Sequence, residues 1–480
     1  MNEIPRNTEL AVIGAGPGGY AAAFLAADMG MQVCLIDPNP HPGGVCLYQG
    51  CIPSKALLHV AKVIHEARQA QQWGVTFGEP TIDIKKLSGW KNQIVEQLTS
   101  GLAQLCKRRN VRYIEGTARL CDATTLEVQT VQGNRSNITF QHTILATGSR
   151  ALNPASFPPV SDRIMDAKAA LELSQIPTSL LVIGGGYIGL ELGSVYAALG
   201  TEVTVVEATA GLLPSVDRDL VRVLSRRLEK EFQTILLSSQ VTSLEQRPDG
   251  VAAIIQQGQE APQEISVDQV LVAVGRVPNS KELGLVSTRA QLDQRGFVKV
   301  NGQRQTEEPT IYAIGDLTGE PMLAHKAAHE ARVAVESIAG LAAFFEPLAI
   351  PAVVFTDPEI AWCGLTEDEA RQHGDALQVV RFPWGASGRA LTLGQTDGLT
   401  KLIVDQQTER ILGVGIVGSG AGELIAEGVH AIEMSARLSD LKMTVHPHPT
   451  LSETLMECAE VFFGQSTHLY RPARPKSPPP

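Results

Sequence analysis

The sequence predicts an α/β fold that contains two copies of one βαβ unit within a chain of about three domains. Two segments match each other at an offset of 170 residues, namely Leu10–Asp37 and Leu180–Glu207. In each, a short β-branched run leads into a G-x-G-x-x-G turn, a helix of small residues and a second strand that ends in an acid. The 480 residues, at roughly 150 per domain, exceed what one hydrophobic core fills.

Each glycine of such a turn has its own physical task. The first permits the tight turn, the second lets the backbone approach a pyrophosphate, and the third allows close packing of helix on strand. The helix then offers unpaired N–H groups and the positive end of its dipole to the phosphates. The acid, 23 residues after the first glycine in both copies, can accept hydrogen bonds from ribose hydroxyls. We therefore predict two dinucleotide sites, one with Gly14, Gly16, Gly19 and Asp37 and one with Gly184, Gly186, Gly189 and Glu207.

The acid of the second unit also distinguishes between nicotinamide cofactors. A carboxylate at Glu207 repels a 2′-phosphate and bonds a free 2′-hydroxyl. The residues that follow it, Ala208 to Gly211, contain no arginine that could hold such a phosphate. The sequence therefore favours NAD over NADP.

Composition and charge narrow the possible partners. The 40 basic and 51 acidic residues give a net charge of −11, which argues against a nucleic-acid or anionic-membrane surface as the main partner. The sequence has no run of about 18 apolar residues, the length that a membrane-spanning helix needs. Because its first residues also lack the basic-then-apolar order of a signal peptide, we expect a cytoplasmic protein.

Two of the seven cysteines lie close together in the chain. Cys46 and Cys51 precede a run that predicts a helix over Lys55–Ala67. A disulfide between them would close so short a loop that it would add little stability, which favours redox work instead. A thiolate at a helix N-terminus also gains from the dipole. Two buried thiols, or half of a zinc site, remain as alternatives; since the other five cysteines are isolated, we predict no metal site.

Several motifs in order resemble one known family. The segment GGVCLYQGCIPSK, at residues 43–55, is similar to the redox-active segment of the pyridine nucleotide–disulfide oxidoreductases. The resemblance extends to about residue 466. It continues in ATGS at Ala146–Ser149, GRVPN at Gly275–Asn279, TIYAIGDLTG at Thr310–Gly319, MLAHKA at Met322–Ala327 and HPHPTLSE at His446–Glu453.

The resemblance implies two Rossmann-like domains that bind FAD and NAD, and a C-terminal α/β dimerisation domain. The expected divisions are an FAD-binding first part at 1–155, an NAD-binding domain at 156–276, a central region at 277–350 that completes the FAD-binding domain, and an interface domain at 351–466. The remaining Pro-rich segment, 467–480, has no apolar period to bury, and we expect it to be disordered.

By the same resemblance, the first unit holds FAD and the second holds NAD. Asp37 stands where the family more often has Glu, and would bond the adenosine ribose. Gly116 would contact the adenine end and Asp316 the ribityl chain, while Ala324 would begin a helix whose N-terminus faces the flavin pyrimidine. Gly275 opens the GRVPN motif and belongs to the expected cofactor contacts.

The resemblance also implies groups that act on the cysteine pair. Lys55 and Glu191 resemble the ion pair beside the flavin, and a role for Tyr187 over the nicotinamide pocket stays open. His448 is expected to be the acid–base group, with Glu453 orienting its ring, because histidine exchanges protons near neutral pH. His446, in the same segment, is expected to be structural.

The implied activity is the oxidation of dihydrolipoamide through a Cys46–Cys51 disulfide and FAD, with reduction of NAD⁺. The expected partners are the lipoyl domains of 2-oxoacid dehydrogenase or glycine-cleavage complexes and a second copy of the chain, whose His448 would face these cysteines. Alternatives are a glutathione- or mercuric-reductase-like enzyme, or a redox-inert flavoprotein that serves in assembly. Tyr48, where the family commonly has Asn, leaves the local hydrogen bonding open.

Overall fold

The fold is known from a computed structural model, which describes residues 4–372 and 376–470. All but the first four residues of the segment predicted to be disordered, 467–480, lie outside these ranges. Within them, no helix combines the length and the apolar character that crossing a bilayer requires.

The described residues form a mixed α/β fold, the class that the sequence predicts. The strands are β1 (Asn7–Ile13), β2 (Val33–Asp37), β3 (Arg112–Leu120), β4 (Thr125–Thr130), β5 (Arg135–Leu145), β6 (Ser149–Ala151), β7 (Ile164–Met165), β8 (Ser179–Ile183), β9 (Glu202–Val206), β10 (Thr234–Leu236), β11 (Ser239–Arg247), β12 (Gly250–Gln257), β13 (Gln263–Val267), β14 (Gln269–Val272), β15 (Arg276–Pro278), β16 (Ile311–Ala313), β17 (Ala352–Val354), β18 (Glu359–Gly364), β19 (Leu377–Pro383), β20 (Leu399–Asp405) and β21 (Ile411–Gly418). The α-helices are α1 (Pro17–Asp28), α2 (Gly44–Gln49), α3 (Cys51–Gln69), α4 (Ile84–Arg108), α5 (Ala167–Glu172), α6 (Tyr187–Ala198), α7 (Arg218–Glu231), α8 (Ala324–Ile338), α9 (Glu367–Gln372), α10 (Gly388–Thr392), α11 (Ala421–Glu433), α12 (Leu438–Met443) and α13 (Glu453–Phe463).

The first sheet combines parallel and antiparallel pairing. β1 lies between β2 and β5 in parallel register, and β16 adds a further parallel strand beside β5. The long strands β3 and β5 extend beyond this part, where β4 joins them in antiparallel pairing. Strand β1 has almost only buried residues, as a strand covered on both faces should. Because β16 comes from residues 311–313, the chain returns to the first sheet after completing the second.

The second sheet carries the second copy of the βαβ unit. Its five strands are parallel where paired and lie in the order β10-β9-β8-β14-β7. A separate antiparallel sheet, β11-β12-β13, contributes to the hydrophobic cluster on one side of it. Strands β6 and β15 pair antiparallel between the two units. The two glycine turns therefore lie in two separate, similarly built sheets.

The C-terminal sheet is entirely antiparallel and follows the order β17-β18-β21-β20-β19. Helices α11 and α13 bury Ile425, Leu455 and Cys458 against it, together with the fully buried Trp384. This arrangement agrees with the predicted C-terminal α/β domain in fold class. The exact divisions between domains stay predictions.

The helix that follows the cysteine pair begins earlier than predicted. The sequence predicts that this helix begins at Lys55, but α3 begins at Cys51. Proline is tolerated there because the N–H groups of a first helical turn have no partner within the helix, so Pro53 interrupts nothing. The earlier start places Cys51 itself at the helix N-terminus.

Candidate active site

The two glycine turns have the geometry that their sequence predicts. The first glycine of each has a positive φ, +97° at Gly14 and +109° at Gly184. The third glycine has no room for a side chain, since a Cβ would lie 1.8 Å from a backbone oxygen at Gly19 and 2.2 Å at Gly189. The second glycine faces open space: a Cβ at Gly16 would meet nothing closer than 3.9 Å. Each turn thus presents bare backbone to a ligand at the start of a helix.

The two strand-end acids are buried and hold the glycine turns. Asp37 accepts hydrogen bonds from the backbone N–H groups of Ala15, at 2.7 Å, and Asn39, at 2.9 Å. Glu207 accepts from the N–H of Gly185 at 2.7 Å and of Thr209 at 2.7 Å. Each carboxylate oxygen keeps further acceptor capacity, which ribose hydroxyls could use.

A cavity of about 1280 Å³ lies at the first unit and extends toward the second. Its lining includes the first glycine turn, the cysteine pair and the N-terminus of α8, so these separate elements share one cavity. Of the residues predicted from the sequence, those that line it are Gly14, Gly16, Asp37, Cys46, Cys51, Lys55, Gly116, Glu191, Asp316 and Ala324. Tyr187 also lines it, with its side chain partly exposed.

Both cysteines of the pair are free thiols in this structure. Cys46 lies in α2 and Cys51 begins α3. The hydrogen bond from the Cys46 thiol lowers the pKa of Cys51 against the effect of burial, and the positive charge of Lys55 acts in the same direction. That hydrogen bond, together with burial, raises the pKa of Cys46. Of the two sulfurs, Cys51 is the one that ionises first.

The predicted Lys55–Glu191 ion pair is present. Lys55 Nζ lies 2.8 Å from Glu191 Oε2, and the Glu191 side chain is only 4% exposed. The other carboxylate oxygen of Glu191 accepts a hydrogen bond from the backbone N–H of Phe355 at 3.0 Å. This hydrogen bond joins α6 of the second unit to the segment after β17. It was not predicted from the sequence, since its two residues are 164 positions apart.

Asp316 follows β16 within a 3₁₀ turn at Gly315–Thr318, slightly beyond the strand end that the sequence predicts. Ser149 donates a hydrogen bond to its carboxylate and accepts one from Arg276 Nε at 2.8 Å. Helix α8 begins at Ala324, as predicted. Ser149 and Arg276 belong to motifs noted in the sequence, but their mutual contact is not visible there.

The buried carboxylate of Glu330 supports this turn from behind. It accepts a hydrogen bond from the N–H of Gly315 at 2.6 Å and forms ion pairs with Arg304 at 2.9 Å and Lys326 at 3.2 Å. Glu330 is fully buried, so its two cationic partners are needed to compensate the cost of removing a carboxylate from water. Glu330 was not predicted to have a role, because nothing in the neighbouring sequence indicates that its carboxylate is buried.

The two histidines of the C-terminal motif differ in exposure and in their carboxylate partners. His448 Nδ1 lies 3.0 Å from Glu453 Oε1, and its side chain is 72% exposed. Glu453 also accepts a hydrogen bond from the Thr450 N–H at 2.8 Å. Burial would raise the pKa of Glu453, but these two hydrogen bonds lower it on balance. His446 is buried against Glu427, with Nε2 2.7 Å from its carboxylate, which suits a structural role.

His448 is not among the residues that line the cavity of the cysteine pair. Among the described residues, those that line the cavity run from Ile13 to Ala327, so neither His448 nor Glu453 is one of them. The glycines of the second unit, Glu207 and Gly275 also lie outside it; Gly275 has a φ of +130° in the loop before β15. Tyr48 turns its hydroxyl to the carbonyl oxygen of His41 at 3.1 Å, which accounts for its hydrogen bonding.

The residues of both units fit dinucleotides. In the first, a bare glycine turn, a buried carboxylate and a helix N-terminus meet along one elongated cavity that also contains two thiols. The second repeats the turn and the buried carboxylate. This fold and this site define an oxidoreductase that binds two dinucleotides and carries a redox-active thiol pair.

Comparison with known proteins agrees. Residues 8–331 match the sequence model described as "Pyridine nucleotide-disulphide oxidoreductase", and residues 350–459 match the dimerisation domain of the same family. The chain belongs to the pyridine nucleotide–disulfide oxidoreductase family. FAD and NAD are the cofactors of this family and of the chain, and the C-terminal domain is a dimerisation domain.

Individual relatives extend over nearly the whole chain. It is 45% identical to the dihydrolipoyl dehydrogenase of Haemophilus influenzae over 462 residues, which cover 96% of each chain. It is also 45% identical to that of Vibrio cholerae, over 96% of this chain and 97% of the relative. The crystal structure of LpdA from Mycobacterium tuberculosis superimposes with a TM-score of 0.88 at 26% identity, covering 95% of this chain and 99% of that one.

Proposed function

We propose that this protein is an NAD-dependent dihydrolipoyl dehydrogenase. The observation that carries the proposal is the thiol pair: Cys51 lies at a helix N-terminus beside Lys55, within the same cavity as the glycine turn. Relatives named dihydrolipoyl dehydrogenase at 45% identity give the substrate class. The acid at Glu207, with no arginine among the four residues after it, supports NAD rather than NADP and disfavours a glutathione-reductase-like enzyme.

The substrate half of the reaction uses groups of this chain. His448 Nε2 is free of the Glu453 contact and takes the proton from one thiol of dihydrolipoamide. The resulting thiolate attacks Cys46 of the disulfide form, and Cys51 leaves as a thiolate beside Lys55. The second substrate thiol then displaces Cys46, which leaves lipoamide and the Cys46–Cys51 dithiol. Two electrons have passed from substrate to protein, and the disulfide bond has moved the other way.

FAD, when bound, supplies the chemistry that accepts the two electrons of the dithiol and transfers them to NAD⁺. Gly14, Gly16 and Asp37 would hold it at the pyrophosphate and adenosine ribose. Gly116 and Asp316 would hold its adenine and ribityl parts, and the N-terminus of α8 would face its ring system at Ala324. Glu207 and the second glycine turn would hold NAD, with Gly275 in the adjoining loop.

The active site needs two copies of the chain. His448 lies outside the lining of the cavity that contains the cysteines, in the dimerisation domain, and its imidazole is mostly exposed in the single chain. We propose that the His448–Glu453 pair of one subunit completes the cysteine site of the other. The remaining site residues then act within one subunit. They are the Lys55–Glu191 pair and the turn glycines Gly19, Gly184, Gly186 and Gly189.

The proposed partners are lipoyl domains of a 2-oxoacid dehydrogenase or glycine-cleavage complex, because dihydrolipoyl groups of such domains are the substrate that this activity consumes. A cytoplasmic location belongs to the same proposal. In a reducing compartment, disulfides are mostly transient and catalytic, which suits a pair that alternates between dithiol and disulfide.

The decisive experiment compares substrates on the FAD-loaded enzyme. Reduction of NAD⁺ is measured with dihydrolipoamide and with reduced glutathione, and oxidation of NADPH is measured with mercuric ion. We expect turnover with dihydrolipoamide alone, and its loss in Cys46→Ser. Turnover with either alternative substrate, and none with dihydrolipoamide, would assign the enzyme to another member of the family. A chain that binds FAD but turns over none of them would be an assembly module.

A further inference from the structure

The ion pair beside the redox thiols has a third member in the dimerisation domain. The backbone N–H of Phe355 donates to Glu191 Oε1 at 3.0 Å, while Glu191 Oε2 holds Lys55 Nζ at 2.8 Å. Lys55 Nζ also lies 4.5 Å from the centroid of the Phe355 ring. One residue of the segment after β17 thus contacts both partners of the pair, through its backbone and through its side chain.

These contacts restrict where the Lys55 ammonium can lie. Glu191 is buried and bound at both carboxylate oxygens, so it cannot follow Lys55 to another position. The face of an aromatic ring attracts a cation within about 6 Å, and the Phe355 ring meets that condition. A lysine side chain otherwise has many rotamers and about 2 kcal/mol of conformational entropy. The ring and the carboxylate together favour one arrangement.

The ring is itself held in place by the segment that carries it. The next residue, Thr356, donates a hydrogen bond from its hydroxyl to the carbonyl oxygen of Pro358 at 2.9 Å. Asp357 lies 3.8 Å from His65 of α3 and 3.7 Å from Arg227 of α7. Residues 355–357 therefore contact α3, α6 and α7. These contacts give the ring of Phe355 a defined position relative to α3.

The position of Lys55 matters because α3 also carries Cys51. The positive charge of Lys55 favours the Cys51 thiolate, whereas the negative charge of Glu191 opposes it. If Lys55 moved away, the negative charge of Glu191 would still oppose the Cys51 thiolate, and the positive charge that favours the thiolate would be lost. Tyr20, Tyr187 and Cys46 are further titratable groups that interact electrostatically with Cys51.

We propose that Phe355 is a positioning residue that holds the Lys55 ammonium beside Cys51, so that the dimerisation domain helps to set the charge around the redox thiol. The proposal rests on the role of Cys51 in the proposed function. The backbone N–H of Phe355 binds only Glu191, whereas the aromatic ring contacts Lys55 itself. Removal of either the ring or the lysine should therefore abolish the positioning of the ammonium.

The test uses FAD-loaded Cys46→Ser protein, in which Cys51 is the only thiol of the pair. The long-wavelength absorbance of the thiolate against oxidised flavin is recorded as a function of pH. We expect Phe355→Leu to raise the midpoint by about half a pH unit, since a Lys55 ammonium that the ring no longer holds stabilises the Cys51 thiolate less. Phe355→Tyr keeps an aromatic face and should restore the parent midpoint. Phe344→Leu, at an exposed phenylalanine that precedes the dimerisation domain, is the control.

A second comparison shows whether the effect passes through the lysine. In a Lys55→Met background, Phe355→Leu should no longer move the midpoint. An unchanged midpoint in Phe355→Leu, or an equal shift in the Lys55→Met background, overturns the proposal. Phe355→Met replaces Phe355→Leu if the latter fails to retain FAD. The titration needs neither dihydrolipoamide nor NAD⁺, so a wrong substrate assignment would not alter its outcome.

Discussion

Asp37 and Glu207 hold corresponding positions in the two nucleotide units and bind the same part of the glycine turn at the same distance. Each accepts a hydrogen bond at 2.7 Å from the residue after the first glycine, Ala15 in one unit and Gly185 in the other. Each also accepts one from the residue two places further along its own strand end. The acid therefore shapes the phosphate-binding turn before any ribose is bound.

This double use of Glu207 decides how its cofactor preference should be tested. Glu207→Gln removes the charge but keeps a carbonyl oxygen for the turn. Without the repulsion of a 2′-phosphate, the ratio of kcat/KM for NADP to that for NAD should rise about 10- to 100-fold, which corresponds to ~1.4–2.8 kcal/mol. Glu202→Gln, at an exposed carboxylate at the start of β9, the strand that precedes Glu207, serves as the control. A parent enzyme that already prefers NADP contradicts the assignment.

The two cysteines should differ in their spectra. Cys51 is the sulfur whose pKa is lowered, so two-electron reduction should give a long-wavelength thiolate-to-flavin absorbance that depends on it. Cys51→Ser should lose this band, and Cys46→Ser should keep it. The measurement is visible absorbance of the FAD-loaded protein under anaerobic reduction. A band that survives in Cys51→Ser would reverse the roles of the two thiols.

His448 should be required chiefly for the half-reaction with dihydrolipoamide. Removal of a general base typically costs a factor of ~10²–10⁴, so His448→Ala should slow dihydrolipoamide turnover by about that much. Flavin reduction by NADH should persist, because it requires no proton transfer by this residue. Glu453→Ala should cost less, since Glu453 only orients the imidazole. Stopped-flow absorbance separates the two half-reactions, and His446→Gln is the control at the neighbouring, buried histidine.

The sharing of residues between subunits can be tested by complementation. Two inactive chains, Cys46→Ser and His448→Ala, are unfolded together or co-expressed so that heterodimers form. A heterodimer should regain one functional site of two if cysteines and histidine come from different subunits. If isolated heterodimers stay inactive, the cysteines and His448 act within one chain.

A buried lysine joins the second unit to the dimerisation domain and should be important for stability. Lys401 is 1% exposed and forms ion pairs with Asp217, with Asp219 at 2.7 Å and with Glu367 at 2.7 Å. Lys401→Met would leave these carboxylates without their central cation, at a cost of about 3–5 kcal/mol. The thermal unfolding midpoint of the FAD-loaded dimer should fall clearly, while Arg68→Met, which removes an exposed ion pair with Glu79, should change it little.

The same cluster predicts how stability depends on pH. Burial alone would raise the pKa of Asp219, but hydrogen bonds from Lys401 and Arg381 outweigh it and lower the pKa to about 2. A carboxyl whose pKa is lower in the folded state stabilises the fold above its unfolded value of about 3.9 and loses that contribution as the pH falls toward 2. Thermal midpoints measured between pH 5 and pH 2.5 should decline less steeply in Asp219→Asn, once its lower starting stability is subtracted. Equal slopes would contradict the assignment.

The sequence by itself determines the features that depend on local geometry. The two βαβ units, their glycine turns and their strand-end acids follow from residue spacing, since turns and helix termini are set within a few residues. The start of α8 at Ala324 was implied by the family resemblance. The His448–Glu453 pair was implied by the family motif, and its two residues are only five positions apart in the chain. The start of α3 was misjudged because a proline in a first helical turn resembles one that precedes a helix.

Only the tertiary structure decides the contacts between distant segments. Ser149 and Asp316 are 167 residues apart, Glu191 and Phe355 are 164 apart, and Asp219 and Lys401 are 182 apart. No periodicity or spacing links such pairs, because their approach depends on how three sheets pack against one another. Burial then gives the contacts their strength, since a charge removed from water must find a partner, and only the packed fold determines which one it finds.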